Sequence, residues 1–378
     1  MYTRNINYLK SQSFFLLGPR GVGKSNWAKS EFTHGQYIDL LKAKTFNELS
    51  ANPSRLEEMI LPSTKWVVID EIQKLPTLLD EVHRLIEGKK IKFVLTGSSA
   101  RKIKKQSGNL LAGRALLRNM YPLTAEELGS DFDFKKSLKI GHLPMAYTST
   151  DPEEYLQAYV KTHLKEEVLQ EGIVRNVLGF SRFLEAASFS QAQYLNISKV
   201  ASDASVDRKV TEEYFRIIED LLVAVRLPTF QKRAVRKTTK HPKFFFYDVG
   251  VFLTIRPEGP LDSPEEREGA ALETLVFQEL RAQNEYKKWG YEFYSWAISQ
   301  GPDVDLVLYG KNGIIAIEVK RAKRLRGGEL KGLDAFKDEY KMARTFLLYG
   351  GDEERNIAGH QIVPVEAFIR NPGAYIAR

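Results

Sequence analysis

The 378-residue chain contains no cysteine. That excludes disulfides, cysteine-ligated zinc and cysteine nucleophiles, and it fits a reducing compartment. No run of about 18 apolar residues is present, so no transmembrane helix is expected. The first residues, Met1-Tyr2-Thr3-Arg4-Asn5-Ile6, lack the apolar core of a signal peptide. These absences set the expectation of a cytoplasmic protein with no membrane partner. Acids are the minority charge: 48 Asp and Glu stand against 56 Lys and Arg, a net charge of +8. Such an excess is compatible with nucleic acid as a partner, but where the charge lies decides more than its total. The length suggests two or three domains.

Residues 14–17 are a continuous apolar run and read as a short buried strand. Gly18-Pro19-Arg20-Gly21-Val22-Gly23-Lys24-Ser25 follows and fits G-x-x-x-x-G-K-[ST]. Residues 26–32 can open a helix. Strand, glycine loop and helix in that order is the context of a phosphate-binding P-loop. Backbone N–H groups of such a loop point at phosphate oxygens, and the helix N-terminus adds partial positive charge. Lys24 is expected to reach the β- and γ-phosphates, and the Ser25 hydroxyl to ligate Mg²⁺. The expected cofactors are ATP and Mg²⁺.

Residues 36–41 read as a second strand and 42–60 as polar-faced helix. Residues 65–71 form an apolar strand that ends in Asp70 and Glu71. A continuous apolar run fits a central parallel strand covered on both faces. Asp70 suits holding Mg²⁺ through water, and Glu71 suits polarising the attacking water. Residues 91–99 are another apolar strand, ending in hydroxyls. Ser98 is the first choice for sensing the γ-phosphate, and Thr96 the second. A basic helix with Arg101, Lys102, Lys104 and Lys105 follows, and Arg114 stands just before a last strand at 115–121. This region resembles AAA+ ATPases. The resemblance implies an arginine that contacts the γ-phosphate held by a neighbouring subunit, stabilising transition-state charge. Arg114 is the candidate and Arg101 its competitor. Action in trans would require a homo-oligomer.

Pro122 opens a helix over 122–128, and residues 132–150 read as a mixed, turn-rich boundary. Residues 152–171 carry a helical pattern whose aromatic stripe, Tyr155 and Tyr159, faces the core. A helix at 180–189, a short helix and turn at 194–206, a strongly periodic helix at 207–222 and strands at 223–227 and 243–247 make a winged-helix layout. Around the last turn lie Arg226, Lys232, Arg233, Arg236, Lys237, Lys240 and Lys243, with no acid among them. Such a wing would follow a DNA phosphate backbone. No pattern indicates base-specific reading.

Residues 265–284 read as a helix with Glu273 among inward leucines, and 291–296 as a strand. Pro302-Asp303-Val304-Asp305 enters a strand over 303–308, and a glycine turn at 310–313 leads to a partner strand at 314–320. Alternation places Glu318 and Lys320 on one face, and a hairpin can bring Asp305 beside them. Two such carboxylates bind Mg²⁺ or Mn²⁺, which activates water against a phosphodiester. Glu273 could complete the metal shell, and Lys320 would orient the water or stabilise the pentavalent state. The constellation resembles the PD-(D/E)xK nucleases. Asp303 is the literal motif match; Asp305 is preferred because it directly enters the apolar strand. Arg321, Lys323, Arg324, Arg326 and Lys331 form a basic run beside Lys320.

Nearly the whole chain is similar to a prokaryotic family of fused AAA-type ATPases. These join an ATPase core to a C-terminal domain of unknown function with winged-helix and endonuclease-like parts. The resemblance rests on residues 18–25, Asp70-Glu71, residues 96–99, Gly113-Arg114, residues 243–250, and Val304-Asp305 with Glu318-Val319-Lys320. It implies ATP binding and hydrolysis together with DNA association, while nuclease activity follows only by analogy with the fold's relatives. The expected fold class is α/β. A P-loop, AAA-like parallel sheet spans 1–130, a helical connector and winged helix 131–258, and an α/β restriction-endonuclease-like domain 259–378. Two functions fit: ATP-driven DNA processing with a metal-dependent nuclease domain, or an ATP-controlled DNA- or protein-binding switch whose nuclease-like domain is inactive.

Overall fold

The structure is a computed structural model. It describes residues 2–99, 113–164, 168, 176–232, 241–259, 263–325 and 327–377. The chain divides into two compact units, one holding residues 3–121 and 220–223, the other residues 122–219 and 224–378. Among the described residues no helix is long and apolar enough to cross a membrane.

In the first unit, Ser13–Leu17 (β1), Gln36–Asp39 (β2), Trp66–Asp70 (β3), Lys92–Gly97 (β4) and Ala115–Asn119 (β5) form a sheet of order β2-β3-β4-β1-β5. Every pairing is parallel. The strand β4 therefore lies between β1, which feeds the glycine loop, and β3, which ends in Asp70. β1, β3 and β4 are buried along almost their whole length, as parallel strands covered on both faces must be. On one face, Phe15, Leu17, Val67, Ile69, Phe93 and Leu95 share a core with Leu78, Val82 and Leu85 of the helix Leu78–Lys89. Alternation sends Phe14 to the other face. There it joins an aromatic cluster in which the Phe32 and Trp66 rings lie 4.9 Å apart and Tyr8 and Phe14 5.1 Å apart.

The second unit begins with a helix, Ala125–Leu128, that starts later than Pro122 suggests. Thr124 sets the start: its side chain accepts from Glu127 N while the Glu127 carboxylate accepts from Thr124 N, a capping box. Residues 132–150 are less turn-rich than the sequence suggests. They form two helices, Phe134–Ile140 and Pro144–Thr148, the first capped by Asp133 and the second opened by its proline. Each is under two turns, too short for a 3.6-residue period to register. Pro152–Ala158 continues into a π-helical turn, Tyr159–Leu164.

Helices Val177–Ser188, Ile197–Asp203 and Arg208–Asp220 follow, with a three-stranded antiparallel sheet of Gln193–Tyr194 (β6), Ala224–Leu227 (β7) and Lys243–Phe246 (β8) in order β6-β8-β7. A 24-residue helix, Pro264–Lys287, is buried along most of its length. The remaining strands are Glu292–Ala297 (β9), Asp303–Gly310 (β10), Gly313–Lys320 (β11), Arg344–Tyr349 (β12), Arg355–Ile357 (β13) and His360–Pro364 (β14). They make one mixed sheet of order β13-β14-β12-β11-β10-β9. β9, β10 and β11 run antiparallel, while β11, β12 and β14 are parallel.

His142 is fully buried, its Nδ1 2.7 Å from Leu123 O and its Nε2 2.8 Å from Ser137 Oγ. Burial pushes its pKa down to about 4, against the opposing pull of the Leu123 carbonyl. The unfolded imidazole takes up its proton near pH 6.5, so the folded state binds fewer protons between these values. Stability is full above about pH 6.5 and falls on acidification toward pH 4, by up to about 3 kcal/mol. Asp248, raised to about 6 by burial, shifts stability in the opposite sense, so the His142 contribution is read against a variant. Denaturant unfolding of His142→Asn between pH 4 and 7 should show an acid-side loss smaller by about 3 kcal/mol.

Candidate functional site

The glycine loop leaves the end of β1 with little room. A Cβ at Gly18 would stand 2.3 Å from Met120 O, so only glycine fits. Gly23 caps the helix Lys24–Glu31 with φ of 97°, in the left-handed region. Pro19, Arg20, Gly21 and Val22 complete the loop, with Val22 buried. Lys24 is buried, and its ammonium folds back to donate to Gly18 O at 2.7 Å and Pro19 O at 2.9 Å. Arg4 was not foreseen from the sequence. Its guanidinium donates to Val22 O and to Tyr121 O, both at 2.6 Å, bracing the loop.

Asp70 collects hydroxyls. Ser25 Oγ donates to its Oδ1 at 3.0 Å, and Thr96 Oγ1 and Tyr37 OH donate to the same carboxylate. Burial, then the bond to Asp70, pushes the Tyr37 phenol upward, which keeps it a donor. Ser25 and Asp70 thus present hard oxygen donors side by side, a set that fits Mg²⁺.

Glu71 has φ of 63°, strained for a non-glycine residue. Its N–H donates to Thr96 Oγ1 at 3.1 Å. The Glu71 carboxylate accepts from Gln73 Nε2, and the same amide donates to Ser98 Oγ at 3.1 Å. Gln73 is buried, and its Oε1 has no hydrogen-bond partner. Thr96 and Ser98 therefore do different things: Thr96 ties Asp70 to Glu71, and Ser98 meets Gln73. Gln73 was missed in the sequence. Its only signal was its place two residues beyond the carboxylate pair, in the 3₁₀ turn Ile72–Lys74.

Arg114 lies elsewhere. Ala115 is level with Ser13, at the start of β1, whereas the glycine loop leaves the far end after Leu17. The separation is four residues of strand, about 13 Å. Arg114 thus lies at the opposite end of β1 from the glycine loop of its own subunit. Its Nε pairs with Glu87 in the same unit, an exposed pair of little energetic weight. Arg101, Lys102, Lys104 and Lys105 lie outside the described residues.

In the second unit the β10–β11 hairpin sets Leu306 opposite Ile317, so Asp305 and Glu318 are neighbours. Asp305 accepts from Val319 N at 2.9 Å and from Lys243 Nζ at 2.8 Å. Lys243 Nζ also pairs with Glu273. Glu318 pairs with Lys320 at 2.5 Å, and its Oε2 is buried with no hydrogen-bond partner. Asp303 stays exposed at the start of β10.

The metal shell expected of Glu273, Asp305 and Glu318 is not formed. Among the described residues no group of three carboxylate or imidazole side chains is arranged to hold a metal ion. The physical reason is Lys243, only 3% exposed, whose ammonium stands between Glu273 and Asp305 and supplies the positive charge there. Burial works against that charge, but Asp305 and Glu273 outweigh it and raise the lysine's pKa. Asp305 stays ionised because Lys243 and Lys320 outweigh its burial. Burial and the neighbouring Asp305 push Glu273 up to about 8, and the same two causes raise Glu318. Removing one partner from such a buried pair typically costs about 3–5 kcal/mol.

The basic wing changes too. Arg226 lies on β7 and pairs with Glu219 at 2.6 Å and Glu212 at 2.8 Å. Lys232 pairs with Glu292 at 3.1 Å and sits 4.0 Å over the Tyr309 ring. The neutralising acids come from other elements, so the local sequence could not display them. Arg233, Arg236, Lys237, Lys240 and Arg326 lie outside the described residues. Beyond β11, Arg321 pairs with Glu268, and Lys323, Arg324 and Lys331 are exposed.

Three family models match consecutive stretches of the chain. Residues 10–129 match an AAA domain. The N-terminal unit is therefore similar to an AAA domain. Residues 131–261 and 268–368 match two domains of unknown function, DUF8612 and DUF4143. The uncharacterized proteins Rv2008c of Mycobacterium tuberculosis and Mb2031c of Mycobacterium bovis are each 22% identical over 294 residues, 76% of this chain and 65% of theirs. The uncharacterized protein MJ1544 of Methanocaldococcus jannaschii is 23% identical over 279 residues, 67% of this chain and 60% of its own. The chain thus spans less than two thirds of the length of these relatives. The crystal structure of VC1899 from Vibrio cholerae aligns over 96% of both chains at 11% identity, with a TM-score of 0.24, too low to bear on the fold.

In the N-terminal unit, Gln73 joins Glu71 to Ser98. If this site turns over ATP, Gln73→Ala should lower the turnover number by up to about a hundredfold. The KM for ATP should then stay within about threefold, since Gln73 touches Glu71 and Ser98 and not the loop. Steady-state phosphate release across ATP concentrations separates the two parameters.

Proposed function

We propose that this protein binds and hydrolyses Mg²⁺-ATP at the loop of residues 18–25, and that its nucleotide state controls the binding of nucleic acid by the C-terminal unit. The observation that carries the reading is the meeting of Ser25, Asp70, Glu71, Gln73 and Ser98 beside the loop that holds Lys24. Lys24 moves from its carbonyl partners to the β- and γ-phosphates. Ser25 and Asp70 would hold Mg²⁺, which would supply neutralisation of the phosphate charge. Glu71 polarises the attacking water, and Ser98 senses the γ-phosphate. Arg114, at the opposite end of the sheet, acts on a neighbouring subunit in a homo-oligomer.

The division of labour follows residues 1–130, 131–258 and 259–378. The middle segment acts as a winged helix, a reading supported by its order of helices and the β6-β8-β7 sheet. Phosphate-backbone binding is supported by the net charge of +8 and by exposed Lys323, Arg324 and Lys331 after β11. A restriction-endonuclease-like reading of the last segment is supported by Asp305, Glu318 and Lys320 converging on one hairpin. Cleavage is the weaker reading, because Lys243 stands where a metal would be needed. Absence of cysteine supports a cytoplasmic setting.

Lys24→Ala should reduce ATP turnover by at least about a thousandfold, measured by phosphate release. A rate within about twofold of wild type would end the hydrolysis reading. Double-stranded DNA should raise the wild-type rate. Replacing Lys323 and Arg324 by Ala should shrink that rise and flatten the salt dependence of DNA binding, by about one slope unit per lost phosphate contact.

A further inference from the structure

The acid cluster of the second unit contains an unusual pairing. Lys243 stands at the first position of β8, with its backbone level with Tyr194 on one side and Leu227 on the other. Its stem therefore rises from a strand paired on both edges. The ammonium is 3% exposed and serves Asp305 and Glu273 together. Glu318, 5% exposed, gives one oxygen to Lys320 and keeps the other, Oε2, buried without a hydrogen-bond partner. Three carboxylates from three elements thus converge, and two of them are committed to an ammonium from a fourth element.

A divalent ion in such a place needs carboxylate oxygens at about 2.1 Å. With the Lys243 ammonium 2.8 Å from Asp305 Oδ1, the ion and the lysine compete for the same oxygens and repel each other. The two occupants are mutually exclusive. We propose that Lys243 is a built-in cation standing in place of a divalent ion, and that a cation site of Glu273, Asp305 and Glu318 opens only when this ammonium is withdrawn. With the lysine seated, the hairpin carries no hydrolytic metal and the six-stranded sheet serves as a binding platform. The same ammonium ties β8 to β10 and to the helix Pro264–Lys287, so one charge holds three elements together. This inference deepens the switch reading of the C-terminal unit and does not depend on ATP turnover.

The test is Mn²⁺ binding to the nucleotide-free full chain, followed by electron paramagnetic resonance. Wild type, Lys243→Met, Glu318→Gln and the double variant are compared. Any weak binding at the glycine loop is common to all four. Wild type should show no Mn²⁺ site that Glu318→Gln removes. Lys243→Met should gain one site per chain, at least about tenfold tighter than any in wild type, and lose it in the double variant. Mn²⁺ should raise the thermal midpoint of Lys243→Met and leave that of wild type unchanged. A wild-type site abolished by Glu318→Gln would overturn the proposal, as would a folded Lys243→Met that gains no site. If Lys243→Met does not fold, the wild type and Glu318→Gln pair decides: a shared absence of the site supports the built-in cation, and a Glu318-dependent site refutes it.

Discussion

Asp70 accepts hydrogen bonds from Ser25, Tyr37 and Thr96, which belong to the helix after the glycine loop, to β2 and to β4. Three segments distant in sequence can meet on one carboxylate only because the sheet is parallel and ordered β2-β3-β4-β1-β5. Parallel strands bring their carboxyl ends to one edge, and the loops leaving that edge carry the chemistry. The order places β4 between the loop strand and the Asp70 strand. Thr96 therefore lies close enough to reach both Asp70 and the backbone of Glu71. The remaining features of the site, including the strained Glu71 and the reach of Gln73 to Ser98, are arranged around this anchored carboxylate.

The two units treat a buried lysine in opposite ways. Lys24 rests on two carbonyl oxygens of its own loop. Those are neutral acceptors, and an incoming anion competes with them on favourable terms, because charge-assisted bonds are roughly twice as strong as neutral ones. Lys243 instead has two carboxylates as partners. An arriving phosphate gains nothing there, and an arriving cation must displace a charge. The first arrangement is suited to exchange of ligands and the second to permanence. Burial fractions alone would not distinguish them, since both side chains are nearly inaccessible.

Much of the N-terminal unit was legible in the sequence, because each central strand is a fully buried apolar run followed by a loop with its own chemistry. Phe14 to Leu17 before Gly18, and Trp66 to Ile69 before Asp70, could be read without partners. The β10–β11 hairpin was legible for a similar reason: alternation and a glycine turn are local properties. What escaped depended on partners far away. Lys243 begins a strand in a basic tract and reads as part of a wing that follows a phosphate backbone, yet its acids are Glu273 and Asp305. Arg226 reads as part of a cationic wing until Glu212 and Glu219 close on it. The helices over 134–148 escaped because their caps, rather than any periodicity, define them. Gln73 and Arg4 escaped because their roles are hydrogen bonds to groups whose positions the fold sets.

Arg4 grips Val22 O inside the glycine loop and Tyr121 O just beyond β5, and Gly18 packs directly against Met120 O. The loop and the outgoing chain are thus fastened at two points. A phosphate that reshapes the loop must then either break those contacts or carry residues 120 and 121 with it. The chain continues from there into the capped helix at Ala125. If the loop holds a nucleotide as proposed, its occupancy would have a mechanical outlet that is covalent and only a few residues long, with no relay of side chains required.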